Sequence, residues 1–372
     1  MGNHEQKLGI ITTPFLLEAG IPPCLNLFGI LSSISSEVYM ITGGVRFNLP
    51  NPDRLRYVNT NSNIKHRTLK YIYSLIKIQY YMIKLRKDVD VWFIFIGELP
   101  LLVPILTGRL LNKKIIFITS SSLEDAKHLA PNIPTTIFLK ICSIIDLYLA
   151  TKIIAYSEDL IGRKDLMKYR EKILFASEHF LDFEIFKPKK SLRERTIIIG
   201  YVGRLNKEKG IMNFIEAIPL ILKKIEVDKF FICGEGRLKK DAERYIAEYD
   251  LIEKVKFMGW VPHLELADYL NDMKLIVIPS YTEGLPNIML EAMACGTPVL
   301  AMPVGRIPDL IEDGKTGFLL KDNTPQCIAE KVQASIENVD ITKITQNAVD
   351  LVKRDFSFKI VREKWIGILD VL

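Results

Sequence analysis

From residue 8 onward the chain alternates short, almost wholly apolar runs rich in β-branched residues with longer stretches of helical spacing, and it does so twice. In the first half the runs are 8–12, 38–41, 91–96, 115–119 and 153–156. Continuous apolar runs of this length fit strands covered on both faces, and alternation with helices means β-α units on a parallel sheet. Pro188 and a cluster of charges over 187–195 then break the pattern, so the linker is expected there. The alternation restarts with 196–202, 230–233, 255–258, 275–279, 298–301 and 317–320. The expectation is an α/β protein of two doubly wound, Rossmann-like domains, 1–190 and 191–355, followed by a helix over 356–372 that packs back on the first domain. A length of 372 residues agrees with two domains. In open sheets of this kind ligands bind at the carboxyl ends of the strands, so a cleft between the domains is the expected site.

Composition excludes several other classes. An apolar share of 48% with 25% charged residues is globular. The five cysteines are scattered and form no C-x-x-C pair, which argues against a zinc site or disulfide framework and fits the cytoplasm. The apolar stretch 91–111 is interrupted by Glu98, Pro100, Pro104 and Arg109, and reads as a strand and helix instead of a membrane span. Net charge is uneven: residues 1–190 hold 25 Lys and Arg against 17 Asp and Glu, and the remainder 25 against 27. A basic first half fits an anionic membrane or an acidic acceptor, or ordinary solubility. Within it, 65–87 reads as a long helix carrying Lys70, Lys77 and Lys84 at seven-residue spacing near Tyr73, Tyr80 and Tyr81. That face fits an anionic membrane surface or a solvated one, with Leu69, Ile72, Ile76 and Ile83 expected to pack on the sheet. No recognised nucleic-acid motif accompanies these charges.

Two segments carry chemistry. After the run ending at Pro279 comes Tyr281-Thr-Glu-Gly-Leu-Pro-Asn-Ile-Met-Leu-Glu291. Gly284, Leu285 and Pro286 make a loop whose backbone can approach a ligand closely, and Pro286 opens a helix whose free N–H groups suit a diphosphate. Glu283 and Glu291 lie beside that tip, and a carboxylate accepts side-by-side hydrogen bonds from vicinal hydroxyls. The second segment, Gly200-Tyr-Val-Gly-Arg-Leu-Asn-Lys-Glu-Lys-Gly210, places Arg204 and Lys209 in the loop after the second domain's first strand. Two cations at a strand end suit a pyrophosphate and would stabilise the charge it gains on leaving.

Together these segments resemble glycosyltransferase family four, of GT-B fold, and the resemblance extends over 197–320. It implies that Glu283 binds hydroxyls of a transferred sugar and Glu291 a nucleotide ribose, while Arg204 and Lys209 hold the diphosphate; the catalytic set is then Glu283, Arg204 and Lys209. It also implies that Gly234-Glu235-Gly236 lines the donor site and that Trp260-Val261 flanks the base, although turn geometry accounts equally for the first and core packing for Trp260. Gly305 to Gly314 resembles the family too and reads as mostly structural. The first domain departs from the pattern: Pro14 to Pro23 offers only Gly20, with Gly43-Gly44 after the second run, and Ser120-Ser121-Ser122 stands where relatives place a histidine. Glu124, Asp125 or His128 are candidates to replace it, each equally a loop residue.

The expected activity is retaining transfer of a sugar from a nucleoside diphosphate to a hydroxyl of a lipid-linked or saccharide acceptor in cell-surface glycan or glycolipid synthesis. No metal is expected, since the fixed cations Arg204 and Lys209 take its place. The location is cytoplasmic, on or near the membrane face. A nucleotide-sugar epimerase on the same scaffold and a non-catalytic donor-binding protein are the alternatives.

Overall fold

The computed structural model describes residues 6–12, 21–43, 55–60, 64, 66–95, 101–119, 133–156, 158, 161 and 166–372. The chain divides into two compact units, Met1–Phe180 with Phe358–Leu372, and Leu181–Ser357.

The first unit is built on β1 (Leu8–Thr12), β2 (Val38–Thr42), β3 (Leu55–Asn59), β4 (Val91–Phe95), β5 (Lys114–Thr119), β6 (Lys152–Ala155) and β7 (Ile173–Phe175). They form one sheet in the order β3-β2-β1-β4-β5-β6-β7, every pairing parallel. Central strands such as β1 and β4 are buried along their whole length, as strands sandwiched between helices must be. The connecting helices are α1 (Ile21–Ile34), α2 (Arg67–Lys84), α3 (Leu102–Leu110) and α4 (Ile133–Leu149). Within the apolar stretch 91–111, Val91–Phe95 is a strand and Leu102–Leu110 a helix, and no helix of the described residues is long and apolar enough to cross a membrane.

The second unit carries β8 (Ile198–Val202), α5 (Ile211–Leu222), β9 (Lys229–Cys233), α6 (Lys239–Glu248), β10 (Val255–Gly259), α7 (His263–Asp272), β11 (Leu275–Ile278), α8 (Asn287–Ala294), β12 (Val299–Ala301), α9 (Ile307–Leu310), β13 (Phe318–Leu319), α10 (Pro325–Ile336) and α11 (Ile341–Phe356). Its sheet runs β10-β9-β8-β11-β12-β13, again parallel, and its order reverses direction between β8 and β11. A last helix, α12 (Phe358–Asp370), belongs to the first unit. Its Trp365 is fully buried, meets Phe93 of β4 edge-on and donates its indole N–H to the Ser177 carbonyl at 3.0 Å.

Three sequence expectations shift. The units divide at Phe180, ten residues before the expected boundary at 190, because the intended linker is tied into the second unit. Phe186 is buried there, and the buried Arg195 guanidinium donates to the carbonyls of Met273 and Cys295 and to the Thr297 hydroxyl. Strands β3 and β7 went unread; both are sheet edges, one interrupted by Arg56 and Asn59 and the other three residues long. On α2 the stripe expected against the sheet, Leu69, Ile72, Ile76 and Ile83, is exposed, and Ser74, Ile78 and Met82 are buried in its place. The helix has two apolar stripes, and the one carrying unbranched Met82 and small Ser74 fits the close approach to the strands.

Candidate functional site

The loops after β8 and β11 meet at the point where the second sheet reverses, and backbone contacts hold them there. Gly210 has φ 67°, and a Cβ on it would lie 2.1 Å from the Pro279 carbonyl oxygen. Tyr281 donates its amide N–H to the Glu208 carbonyl at 2.9 Å, and the Tyr201 hydroxyl donates to the Arg204 carbonyl at 2.9 Å. Burial pushes the Tyr201 phenol up, with the Glu283 and Glu208 carboxylates adding to it, so Tyr201 stays a neutral strut under the loop. Gly305, read from sequence as mostly structural, packs at φ 59° with its would-be Cβ 2.1 Å from the Glu283 carbonyl oxygen, and so supports the 283–284 turn from behind.

Between these loops and the start of α8 lies a cavity of about 180 Å³. Gly203, Lys209, Ser280, Glu283, Pro286 and Glu291 are among its lining residues. The Lys209 ammonium donates to both carboxylate oxygens of Glu283, at 2.7 and 2.8 Å, and the Ser280 hydroxyl donates to Glu283 Oε1 at 2.7 Å. The Glu283 side chain is only 8% exposed, so this charge-assisted pair sits in a sheltered spot where it is stronger than a surface ion pair. One turn into α8 the Glu291 carboxylate, also buried, is 2.9 Å from Nε2 of His263. That hydrogen bond, with the negative charge behind it, raises the His263 pKa above the usual imidazole value against the opposing effect of burial. The His263 ring leans on Phe186 at 5.0 Å between centroids.

Sequence reasoning named Lys209, Glu283, Pro286 and Glu291, and the fold brings these to one cavity. The other named residues lie outside its lining. Arg204 points to Glu208 at 3.7 Å and is well exposed. Glu235 pairs with Lys239 at 2.8 Å. Gly234 has φ 137° and would place a Cβ 2.0 Å from the Gly203 carbonyl oxygen, so glycine is required there by the closeness of two loops. Trp260 is 73% exposed, which removes the core-packing alternative; Val261 is partly buried against the core beside β11 and α8. Gly284 is open to solvent while Leu285 turns inward to the core. Ser280 and His263 were missed. Ser280 follows β11 directly and could have been found from that position, whereas the His263–Glu291 pair spans 28 residues of sequence and has no local signal. Gly20, Gly44, Ser120 to Ser122, Glu124, Asp125 and His128 lie outside the described residues. Among the described residues no three His, Cys, Asp or Glu side chains are gathered as metal ligands.

With this geometry in hand, comparison with known structures places the fold. The chain is similar to Anabaena Alr3699/HepE in complex with UDP, with a TM-score of 0.77 and 17% identity over 99% of this chain and 100% of that one. It is similar also to a glycosyltransferase from Rickettsia africae, with a TM-score of 0.75 and 19% identity over 98% of each chain. The architecture is the GT-B fold of two Rossmann-like domains. Residues 182–349 match the family described as Glycosyl transferases group 1. Named relatives include the alpha-D-kanosaminyltransferase of Streptomyces kanamyceticus, 30% identical over 52% of each chain. Another is the capsular polysaccharide biosynthesis glycosyltransferase CapM of Staphylococcus aureus, 30% identical over 59% of this chain and 61% of that one. The chain spans about half the length of the curated relatives it matches.

Proposed function

We propose that the chain is a retaining hexosyltransferase that moves a sugar from a nucleoside diphosphate to a hydroxyl of a lipid-linked or saccharide acceptor, at the cytoplasmic face of a membrane, in the synthesis of cell-surface glycan or glycolipid. The observation that carries this reading is the Lys209–Glu283 pair beside the amide-bearing tip of α8. Each partner offers what one half of a sugar diphosphate needs. An arriving diphosphate competes for the Lys209 ammonium and takes the free N–H groups at the start of α8; Glu283, released, accepts hydroxyls of the sugar with Ser280 fixing its orientation. Glu291 is held by His263 in position to accept the ribose hydroxyls. Arg204, exposed on the same loop, has the reach to join the phosphates when they arrive. As the bond to the sugar breaks, the diphosphate gains negative charge, and cations already in place stabilise that state more than the ground state without a metal. Retention follows from the resemblance of these segments to family four.

HepE is known in complex with UDP and with UDP-glucose, and CapM is named for capsular polysaccharide biosynthesis. These support a uridine diphosphate sugar as the first donor to test and a glycan acceptor. The test is incubation with labelled nucleoside diphosphate sugars, with and without a lipid extract. Transfer that requires the extract and is abolished in Glu283→Gln is the expected result. An epimerised donor with no transferred sugar, or tight donor binding with no turnover under any acceptor, would overturn the reading.

A further inference from the structure

The helices α2, α3 and α4 present an apolar face to solvent. They connect β3 to β4, β4 to β5 and β5 to β6, steps in one direction across the sheet, and right-handed crossovers put all three on one face. Helix α3 packs against both of its neighbours. On α2, Leu69, Ile72, Ile76, Tyr80 and Ile83 recur at intervals of three and four and are exposed, Ile76 to 57%. At about 100° per residue this stripe points away from the buried Ser74, Ile78 and Met82. Helix α3 adds Leu106 and Leu110, the latter 87% exposed, and α4 adds Ile137, Ile141 and Tyr148. A single exposed leucine calls for no explanation, but ten large apolar side chains on three adjoining helices do.

Charge selects the occupant. Helices α2 and α3 contain no Asp or Glu, and α4 contains only Asp146, which is buried. Lys70, Lys77 and Lys84 run along one side of the α2 stripe, with the Lys77 ammonium 5.0 Å from the centre of the Tyr73 ring. At the far end of the layer Lys172 donates to the Tyr148 carbonyl at 2.7 Å and lies over its ring, and Arg109 stands near enough to add to the effect of burial in lowering the Lys172 pKa. A second copy of this chain would bring the same cations against these. A bilayer carrying anionic headgroups meets the apolar stripe with acyl chains and the cationic rim with phosphates.

We propose that the α2–α3–α4 layer is a membrane-docking surface that lies in the headgroup region of an anionic bilayer, with the α2 stripe entering the acyl boundary. The proposal draws its purpose from the lipid-linked acceptor reading above, but vesicle binding is read without donor, acceptor or turnover, so either can fail alone. The full chain is sedimented with vesicles of phosphatidylcholine alone and of phosphatidylcholine with phosphatidylglycerol. Binding to the anionic vesicles is expected to be at least about 10-fold tighter and to weaken with salt. Ile72→Ser/Ile76→Ser/Ile83→Ser should weaken it by about 10-fold with an unchanged melting curve, since the three positions are exposed. Lys70→Gln/Lys77→Gln/Lys84→Gln should also weaken it and flatten its salt dependence. If the triple serine variant melts early, Leu110→Ser takes its place with the same expectation. No binding to anionic vesicles, apolar variants that bind like the parent, or a concentration-dependent dimer dispersed by the serine changes would each overturn the proposal, the last in favour of a second copy.

Discussion

The two sheets share one plan, in which the third, second and first strands precede the fourth and fifth, yet they carry functional residues in different ways. In the second unit a few side chains are gathered within two loops and one helix start, and glycines at Gly210, Gly234 and Gly305 let the backbones touch. In the first unit the distinguishing feature among the described residues is spread thinly over three helices: an apolar surface assembled from residues up to 79 positions apart, Leu69 to Tyr148, with lysines along its rim. A site for a small charged ligand can be written in a short segment. A site for a surface cannot, because its recognition is additive over area.

Four substitutions sharpen that contrast. The largest effect is expected for Lys209→Ala, which removes the cation proposed to meet the diphosphate and takes its ion-pair partner from the sheltered Glu283 carboxylate. Steady-state kinetics should show kcat/KM lower by at least about 100-fold, and parental kinetics would break the assignment of the second unit as the concentrated site. Next is Gly305→Ala, whose Cβ would strike the Glu283 carbonyl. Thermal unfolding should show a loss of about 2–4 kcal/mol with donor binding falling in parallel; an unchanged melting temperature would mean that the turn is not held from behind.

The third concerns Asp146 in the first unit. Burial pushes its carboxyl up to about 7, opposed only partly by the Leu101 amide that donates to Oδ2, and among the described residues Oδ1 has no hydrogen-bond partner. The unfolded chain ionises this group near the usual value of 3.8, so over pH 4–7 it binds fewer protons than the folded chain. Stability is therefore lost as pH rises through that window and levels off above it. Asp146→Asn should flatten the profile, with a gain of about 2–4 kcal/mol over the parent at pH 8; parallel denaturation curves at pH 5 and 8 for both proteins would refute this. The smallest effect is His263→Gln. The raised imidazole pKa means that its pairing with Glu291 is fully present below the unfolded value of about 6.5 and is lost as pH rises through the folded one. Donor KM should rise about 3- to 10-fold with kcat little changed, and the difference between the two proteins should shrink above neutral pH.

The same contrast explains what was legible in the sequence. Both domains follow from their strand runs, because apolar segments buried on both faces need no tertiary context to be recognised. Lys209, Glu283 and Glu291 could be named because the loop and helix carrying them are contiguous in sequence. The edge strands Leu55–Asn59 and Ile173–Phe175 were not legible: an edge is half-covered or short, and its residues need not be apolar throughout. On α2 the period showed that apolar stripes exist but not which one faces inward, and the reading chose Leu69, Ile72, Ile76 and Ile83 where the fold buries Ser74, Ile78 and Met82. His263 was invisible because only folding brings it to Glu291.

The placement of α12 has a bearing on how the molecule is made. The core around Phe93 lacks Trp365, and α1 lacks its neighbour, until residues 358–370 have been synthesised. The unit that leaves the ribosome first therefore completes its packing after the second one, reversing the usual N-to-C order of domain folding. Early intermediates would expose the hydrophobic flank of α1, and a polar residue at Trp365 would delay the N-terminal unit while sparing the one that directly precedes it in the chain.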